Sequence, residues 1–339
     1  MVKTMLKYIL KRLTLALATL FVILFASYAL LRLAPGDPSR SDMMGSGAGM
    51  LDSRNNELYS NTAMREQLDL DKPLHIGFFR WFKRIVCRGD FGNSVTVDPG
   101  KPVTELIRER LGVTVSINFW AILLTYLLAI PAGVFTAAKE GSFFDRSMDF
   151  LLFVLYSLPV MWAGLLLQSM LCEGGQFPIF PLKGITPENP EQLSIWKLQL
   201  ETLRCYFLPV LCLSYGGFAG LSRYTRSSML EVMRSDFIRT ARAKGLAPNA
   251  VLWSHGFRNA LITMITLFSG ILPSLVAGSV LVEHIFNIPG MGSLSLLSLS
   301  SRDYPLQMAL FAFSGALTLT GLLISDLLYM AADPRIRLE

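Results

Sequence analysis

Six stretches of this chain are apolar over the length needed to cross a bilayer, and nothing else in the sequence constrains the fold as tightly. They run over Ile9–Leu31, Val113–Ala138, Phe150–Leu171, Tyr206–Leu221, Ala260–Val282 and Leu306–Ala331. Hydrocarbon offers no partner to a backbone N–H or C=O, so a run of about 20 apolar residues specifies a helix. The expected fold is all-α and polytopic, with about six transmembrane helices. The fourth run is short, and its Gly216, Gly217 and Gly220 let neighbouring helices approach closely. The first run is too long for a cleaved leader, and Leu31–Pro38 offers no small-x-small cleavage site. Charged residues make up 17% of the chain, against about 25% in soluble domains, which agrees with a bilayer protein.

The distribution of cations sets the expected orientation. Lys3, Lys7, Lys11 and Arg12 precede the first run, Lys139 and Arg146 follow the second, and Arg335 and Arg337 lie near the end. Arg223, Arg226, Arg234, Arg239, Arg242, Lys244 and Arg258 fill the loop after the fourth run. The alternate short loops hold only Lys183, Lys197, Arg204 and Arg302. Excess Lys and Arg marks the cytoplasmic side, so both termini are expected there. The segments are then 1–31, a first transmembrane helix; 32–112, an extracytoplasmic segment; and 113–339, a core with a cytoplasmic loop at 223–259. Within the second, 39–56 reads as a mobile loop. Phe78–Val86 mixes aromatics with cations as an interfacial helix does, and Pro102–Leu111 reads as a short amphipathic helix. The net charge of +6 serves anchoring and orientation, and no basic stripe points to nucleic acid.

No catalytic constellation is present. The chain has no P-loop, no GxSxG, and no metal-ligand spacing among His75, His255 and His284. Cys87, Cys172, Cys205 and Cys212 form no CxxC, and a disulfide between Cys172 and Cys205 near the outer surface is chemically allowed. No cofactor is expected, and the energy for any transport must come from an ion gradient or from a partner. A gradient-driven carrier needs ionisable groups in mid-membrane, whereas Asp149, Glu283 and Asp326 fall close to span ends. The segment Met229–Leu246 reads as one helix outside the bilayer, with Met229, Met233, Phe237 and Ala241 as its apolar stripe and Gly245 and Pro248 ending it. Such a helix fits a partner's groove.

Several ordered motifs carry a family resemblance. They are Arg32–Pro38, Leu70–Leu74, Gly89–Ser94, Pro102-Val103, Ser157-Leu158-Pro159, Asp236–Gly245, Arg258–Leu261, Glu283–Gly292, Arg302–Pro305 and Asp326–Arg335. Along nearly its whole length the chain resembles the inner-membrane permease subunits of bacterial ABC importers for dipeptides and oligopeptides. The resemblance implies the type I importer permease fold in the cell inner membrane. It also implies a second homologous permease, two ATP-binding subunits, an extracytoplasmic solute-binding protein and a peptide substrate. ATP hydrolysis then belongs to a separate subunit. Glu231, Asp236, Arg239, Ala241, Arg242, Ala243, Lys244 and Gly245 would couple to the ATPase. Ser157, Pro159 and Pro273 would shape the pathway, and Glu283, Pro289, Gly290 and Gly292, read as a tight turn, would lie at the outer mouth. The chain departs from the family at Thr263, where Pro is usual, and at Gly256-Phe257. Nickel or another small solute is an alternative cargo. A stand-alone carrier, or a scaffold without transport, is the reading of another class.

Overall fold

The computed structural model describes residues 2–33, 65, 72–182, 184–187, 191, 193–261, 271, 274–275 and 278–332. In chain order the helices are α1 (Val2–Leu33), α2 (Leu74–Arg88), α3 (Val103–Ala138), α4 (Phe143–Ser157), α5 (Val160–Leu171), α6 (Ile195–Met233), α7 (Asp236–Ala243), α8 (Val280–Ile285), α9 (Met291–Ser300) and α10 (Tyr304–Ala332). A π-helical turn, Val251–Phe257, follows α7. Among the described residues, four helices are long and apolar enough to cross a membrane, over Leu10–Leu33, Val103–Ala138, Ile195–Met233 and Tyr304–Ile324. Helices α4 and α5 together make a fifth candidate, bent by 90° at their junction. The protein is thus an all-α polytopic membrane protein.

Three expectations change. The third span is not one straight helix but the broken pair α4–α5. The fourth reaches from Ile195 to Met233, well past Leu221. The amphipathic stretch at Pro102–Leu111 is no separate helix, because α3 runs unbroken from Val103 to Ala138. Most of the fifth run, including Thr263 and Pro273, lies outside the described residues, as do the loop 39–56, Leu70-Asp71 and Asp333–Arg337.

The chain divides into two compact units, Met1–Gly112 with Gly290–Thr320, and Val113–Pro289 with Gly321–Glu339. In the first, α2 is fastened to α1 and α10 through Phe78, Trp81, Leu24, Tyr28, Tyr304 and Met308, all buried. Gly89 ends α2 in the left-handed conformation (φ 63°), its N–H donating to Ile85 O at 2.8 Å. The loop that follows closes on one carboxylate. Asp303, fully buried, accepts at Oδ2 from the Ser94 hydroxyl and from the N–H groups of Val95 (3.0 Å), Thr96 (3.1 Å) and Val97 (3.1 Å). Its Oδ1 accepts from Leu306 N at 3.2 Å and so caps α10. Two motifs about 200 residues apart in sequence, Gly89–Ser94 and Arg302–Pro305, are therefore two halves of one anion nest. Nearby, Glu109 accepts from Lys101 Nζ at 2.8 Å, which holds this ammonium above the usual lysine range.

The second unit is organised by a seam between α3 and α6. Thr125 of α3 donates to Ser214 O at 3.3 Å and lies against Gly217. Further along, Gly133 sits so close to α6 that an added Cβ would stand 2.5 Å from Thr225 Cβ and 2.6 Å from Ser222 O. Helices surrounded by lipid gain nothing from hiding apolar surface, so close backbone packing and hydrogen bonds must hold them together. Ala129, Val134 and Ala137 on the same side of α3 are buried. We expect Gly133→Ala to force the helices apart and destabilise the chain by about 1–3 kcal/mol. Gly216→Ala, where an added Cβ meets nothing within 4 Å, should be harmless. Thermal unfolding of both variants in detergent checks the contrast.

Candidate coupling site

The basic segment after the fourth span is built on a hinge. Helix α6 ends at Met233, and α7 begins at Asp236, so Met229–Leu246 is two helices and not one. Ser235 marks the break, its hydroxyl donating to Val232 O at 2.6 Å. The apolar stripe is redistributed accordingly. Met229 is buried within α6, Phe237 is exposed, and α7 instead buries Ile238 and Ala241, three residues apart, against Val251. Val232 and Met233 pack on the same cluster. The opposite face of α7 is open: Asp236, Arg239, Arg242, Ala243 and Lys244 are exposed, and Arg239 is 3.2 Å from Asp236. Gly245 then turns the chain in the left-handed conformation (φ 76°), and its N–H donates to Arg242 O at 3.0 Å. Nothing lies within 4 Å of a Cβ added there, so glycine answers the backbone angle and not a lack of room.

Beneath α7 lies the stretch that contains Gly256-Phe257. Val251–Phe257 forms a π-helical turn, which widens the helix by one residue per turn and re-aims its side chains. A Cβ on Gly256 would stand 2.9 Å from Met233 Sδ and 3.3 Å from Met229 Cε. Phe257 packs edge-on to Trp253 at 5.4 Å, and Trp253 meets Phe135 of α3 at 6.0 Å. Glu231 and Arg258 are exposed, and no hydrogen bond or ion pair joins them among the described residues.

Three ion pairs, not anticipated from the sequence, tie this end of α6 to α4 and the loop before it. Arg226 makes a bidentate pair with Asp145, 2.8 Å from Nε to Oδ1 and 2.8 Å from Nη2 to Oδ2. Arg234 reaches Glu140 at 2.7 Å, and Arg223 lies 3.9 Å from Asp149. The side chain of Asp145 is only 6% exposed, while the Arg234–Glu140 pair is open to solvent. The first pair is the one with structural weight, because exposed pairs contribute little. A faint cue existed: Ser142 followed three residues later by Asp145 reads as a helix start, and Ser142 does cap α4, accepting from Asp145 N at 3.3 Å.

The break between α4 and α5 is made by Ser157, Leu158 and Pro159. Ser157 Oγ donates to Phe153 O at 2.8 Å, Leu158 is extended, and Pro159 N-caps α5. The carbonyl of Leu158 that the break leaves without a helical partner accepts from Tyr215 Oη of α6 at 2.8 Å. The four cysteines are free thiols, and Cys172 and Cys205 are buried without a bridge. Elsewhere in the second unit Glu283 is buried, accepting from Thr114 Oγ1 at 3.1 Å. The tight turn assigned to Pro289–Gly292 falls earlier, at Asn287 (φ 52°). Pro289 is exposed, while Gly290 is the extended N-cap of α9 and Gly292 is buried in its first turn.

Comparison with known proteins places this architecture. Residues 129–338 match the family described as binding-protein-dependent transport system inner membrane component. Residues 5–118 match the corresponding N-terminal membrane component. The oligopeptide transport system permease protein AppB of Bacillus subtilis is 37% identical over 329 residues, covering 97% of this chain and 98% of that protein. The di/tripeptide transport system permease protein DppB of Pseudomonas aeruginosa is 34% identical over 344 residues, with 98% and 99% covered. The peptidoglycan transport system permease protein YejB of Agrobacterium fabrum is 32% identical over 361 residues, with 98% of each covered.

Removing the Arg226 guanidinium would strand the buried Asp145 carboxylate. Arg226→Ala should cost about 2–4 kcal/mol, with Arg226→Lys intermediate because an ammonium cannot make the paired bonds. Thermal unfolding in detergent reads both. An Arg226→Ala chain as stable as the parent would remove this pair from the structural account.

Proposed function

Because the chain belongs to the family of inner-membrane components of binding-protein-dependent transport systems, we propose that it is the permease subunit of an ATP-driven importer of short peptides. The peptide cargo is the one carried in the names of the oligopeptide and di/tripeptide relatives. A second, homologous permease completes the pathway, two ATP-binding subunits attach at α7, and an extracytoplasmic solute-binding protein delivers substrate. Both termini and residues 223–259 face the cytoplasm, as the bias of Lys and Arg in short loops directs. Residues 1–31 are the first anchor, 32–112 the extracytoplasmic segment and 113–339 the core.

The observation that carries this reading is the build of α7. One face, Ile238 and Ala241, is seated on the permease, and the other presents Arg239, Arg242 and Lys244 beside exposed Phe237. An ATPase cleft lined with carboxylates and an apolar patch fits that face. When the ATPases close, α7 is pushed as a rigid body. Its seat on Val232, Met233 and Val251 carries the push into α6, and Arg226–Asp145 passes it to the broken span. The break at Ser157-Leu158-Pro159 lets α4 and α5 move by different amounts, which suits alternating access. Pro273, outside the described residues, is assigned to the same pathway. Glu283, Pro289, Gly290 and Gly292 are assigned to the outer mouth.

Gly245→Asp and Arg242→Glu should each reduce ATP-driven peptide uptake by at least tenfold while leaving the amount of protein in the membrane unchanged. Asp tolerates the left-handed backbone better than most residues, so the loss would come from charge at the contact and not from unfolding. Uptake is measured with a labelled peptide, and membrane content by immunoblot. Full uptake in both variants would show that α7 is not the coupling element.

A further inference from the structure

Helix α2 carries cations to which transport gives no task. It holds Arg80, Lys83, Arg84 and Arg88 and no carboxylate. Its position is fixed by rings: Phe78, fully buried, lies 5.3 Å from Phe21, 5.1 Å from Phe25 and 5.7 Å from Tyr28, and Phe82 lies 5.3 Å from Phe21. Those partners belong to the apolar run of α1, so α2 rests against a membrane-length helix. It starts near that helix's Leu33 end, where Arg32 donates to Lys72 O.

The face that α2 leaves open mixes two chemistries. Phe79 and Val86, 57% and 67% exposed, share one stripe of the helix with exposed Lys83, at i, i+4 and i+7. Arg80 is exposed beside that stripe, and Arg88 is exposed at the helix end. Lys83 and Arg88 make no hydrogen bond or ion pair among the described residues. A helix whose open face mixes large apolar side chains with long cations, held against a span, suits the interface, where the cations snorkel from the acyl layer to the phosphates.

We propose that α2 is a binding surface for anionic phospholipid in the leaflet at the Leu33 end of α1. Lys83 and Arg88 contact the headgroup, and Phe79 and Val86 enter the acyl layer. Unlike α7, α2 is packed by its rings on the apolar run of a membrane-length helix, which puts Phe79 and Val86 within reach of acyl chains and favours lipid over an acidic protein. The inference depends neither on the transport reading nor on which side of the membrane this leaflet faces.

The test uses the full chain in phosphatidylcholine vesicles with spin-labelled phosphatidylglycerol or spin-labelled phosphatidylcholine, comparing the fraction of each label immobilised at the protein. The parent should prefer phosphatidylglycerol, and the preference should weaken as salt is raised. Lys83→Gln with Arg88→Gln should lower the preference by about fivefold per cation. Lys83→Arg with Arg88→Lys should keep it, as should Lys197→Gln, an exposed cation on α6. A preference in the parent that ignores salt overturns the proposal, as does one that survives in the double glutamine variant. If that variant keeps its lipid preference but loses affinity for the purified solute-binding protein, α2 is a protein dock instead.

Discussion

A bilayer supplies no hydrogen bonds, and the broken span of this fold is built around that constraint. The long helices satisfy it internally. The break between α4 and α5 cannot, and it is tolerated because Tyr215 of α6 donates to the Leu158 carbonyl while Pro159 has no N–H to leave unpaired. A bend of 90° within a membrane-length pair thus becomes a stable feature tied to one neighbouring helix. Burial makes a similar demand outside the long helices, where the N–H groups of Val95, Thr96 and Val97 are collected by the single carboxylate of Asp303.

Helix α6 is the common member. At 39 residues it is roughly 58 Å long, nearly twice the hydrocarbon thickness of about 30 Å. It therefore extends beyond the hydrocarbon as one continuous helix with Pro209 inside it, and several elements attach along it. Gly133 of α3 packs on it, Tyr215 braces the broken span, Arg226 holds Asp145, and its last turn beds α7. In the proposed mechanism a displacement at one end is felt along its length. In that mechanism the hinge at Arg234-Ser235 is where α7 adjusts to a partner while α6 keeps its course.

Hydropathy and punctuation made much of this visible in advance. Apolar length identified the membrane-spanning class and Gly245 marked the end of α7, while the break at Pro159 fell inside what reads as one span, Phe150–Leu171. What stayed hidden follows from how information is distributed. The pairing of Arg226 with Asp145 joins residues 81 apart, and that of Ser94 with Asp303 joins residues 209 apart, with no local pattern to link either. The division of Met229–Leu246 into two helices turns on Ile238, not Phe237, being the buried residue, a difference of 100° around a helix that periodicity alone could not settle.

The central claim is that this chain is a gate without a motor. It is tested most directly by reconstituting the permease pair in vesicles, with the solute-binding protein and ATP on the appropriate sides, and measuring accumulation of labelled peptide with and without the ATP-binding subunits. Accumulation only when those subunits are present is the expected result. Concentrative uptake in their absence, driven by an ion gradient, would contradict the account.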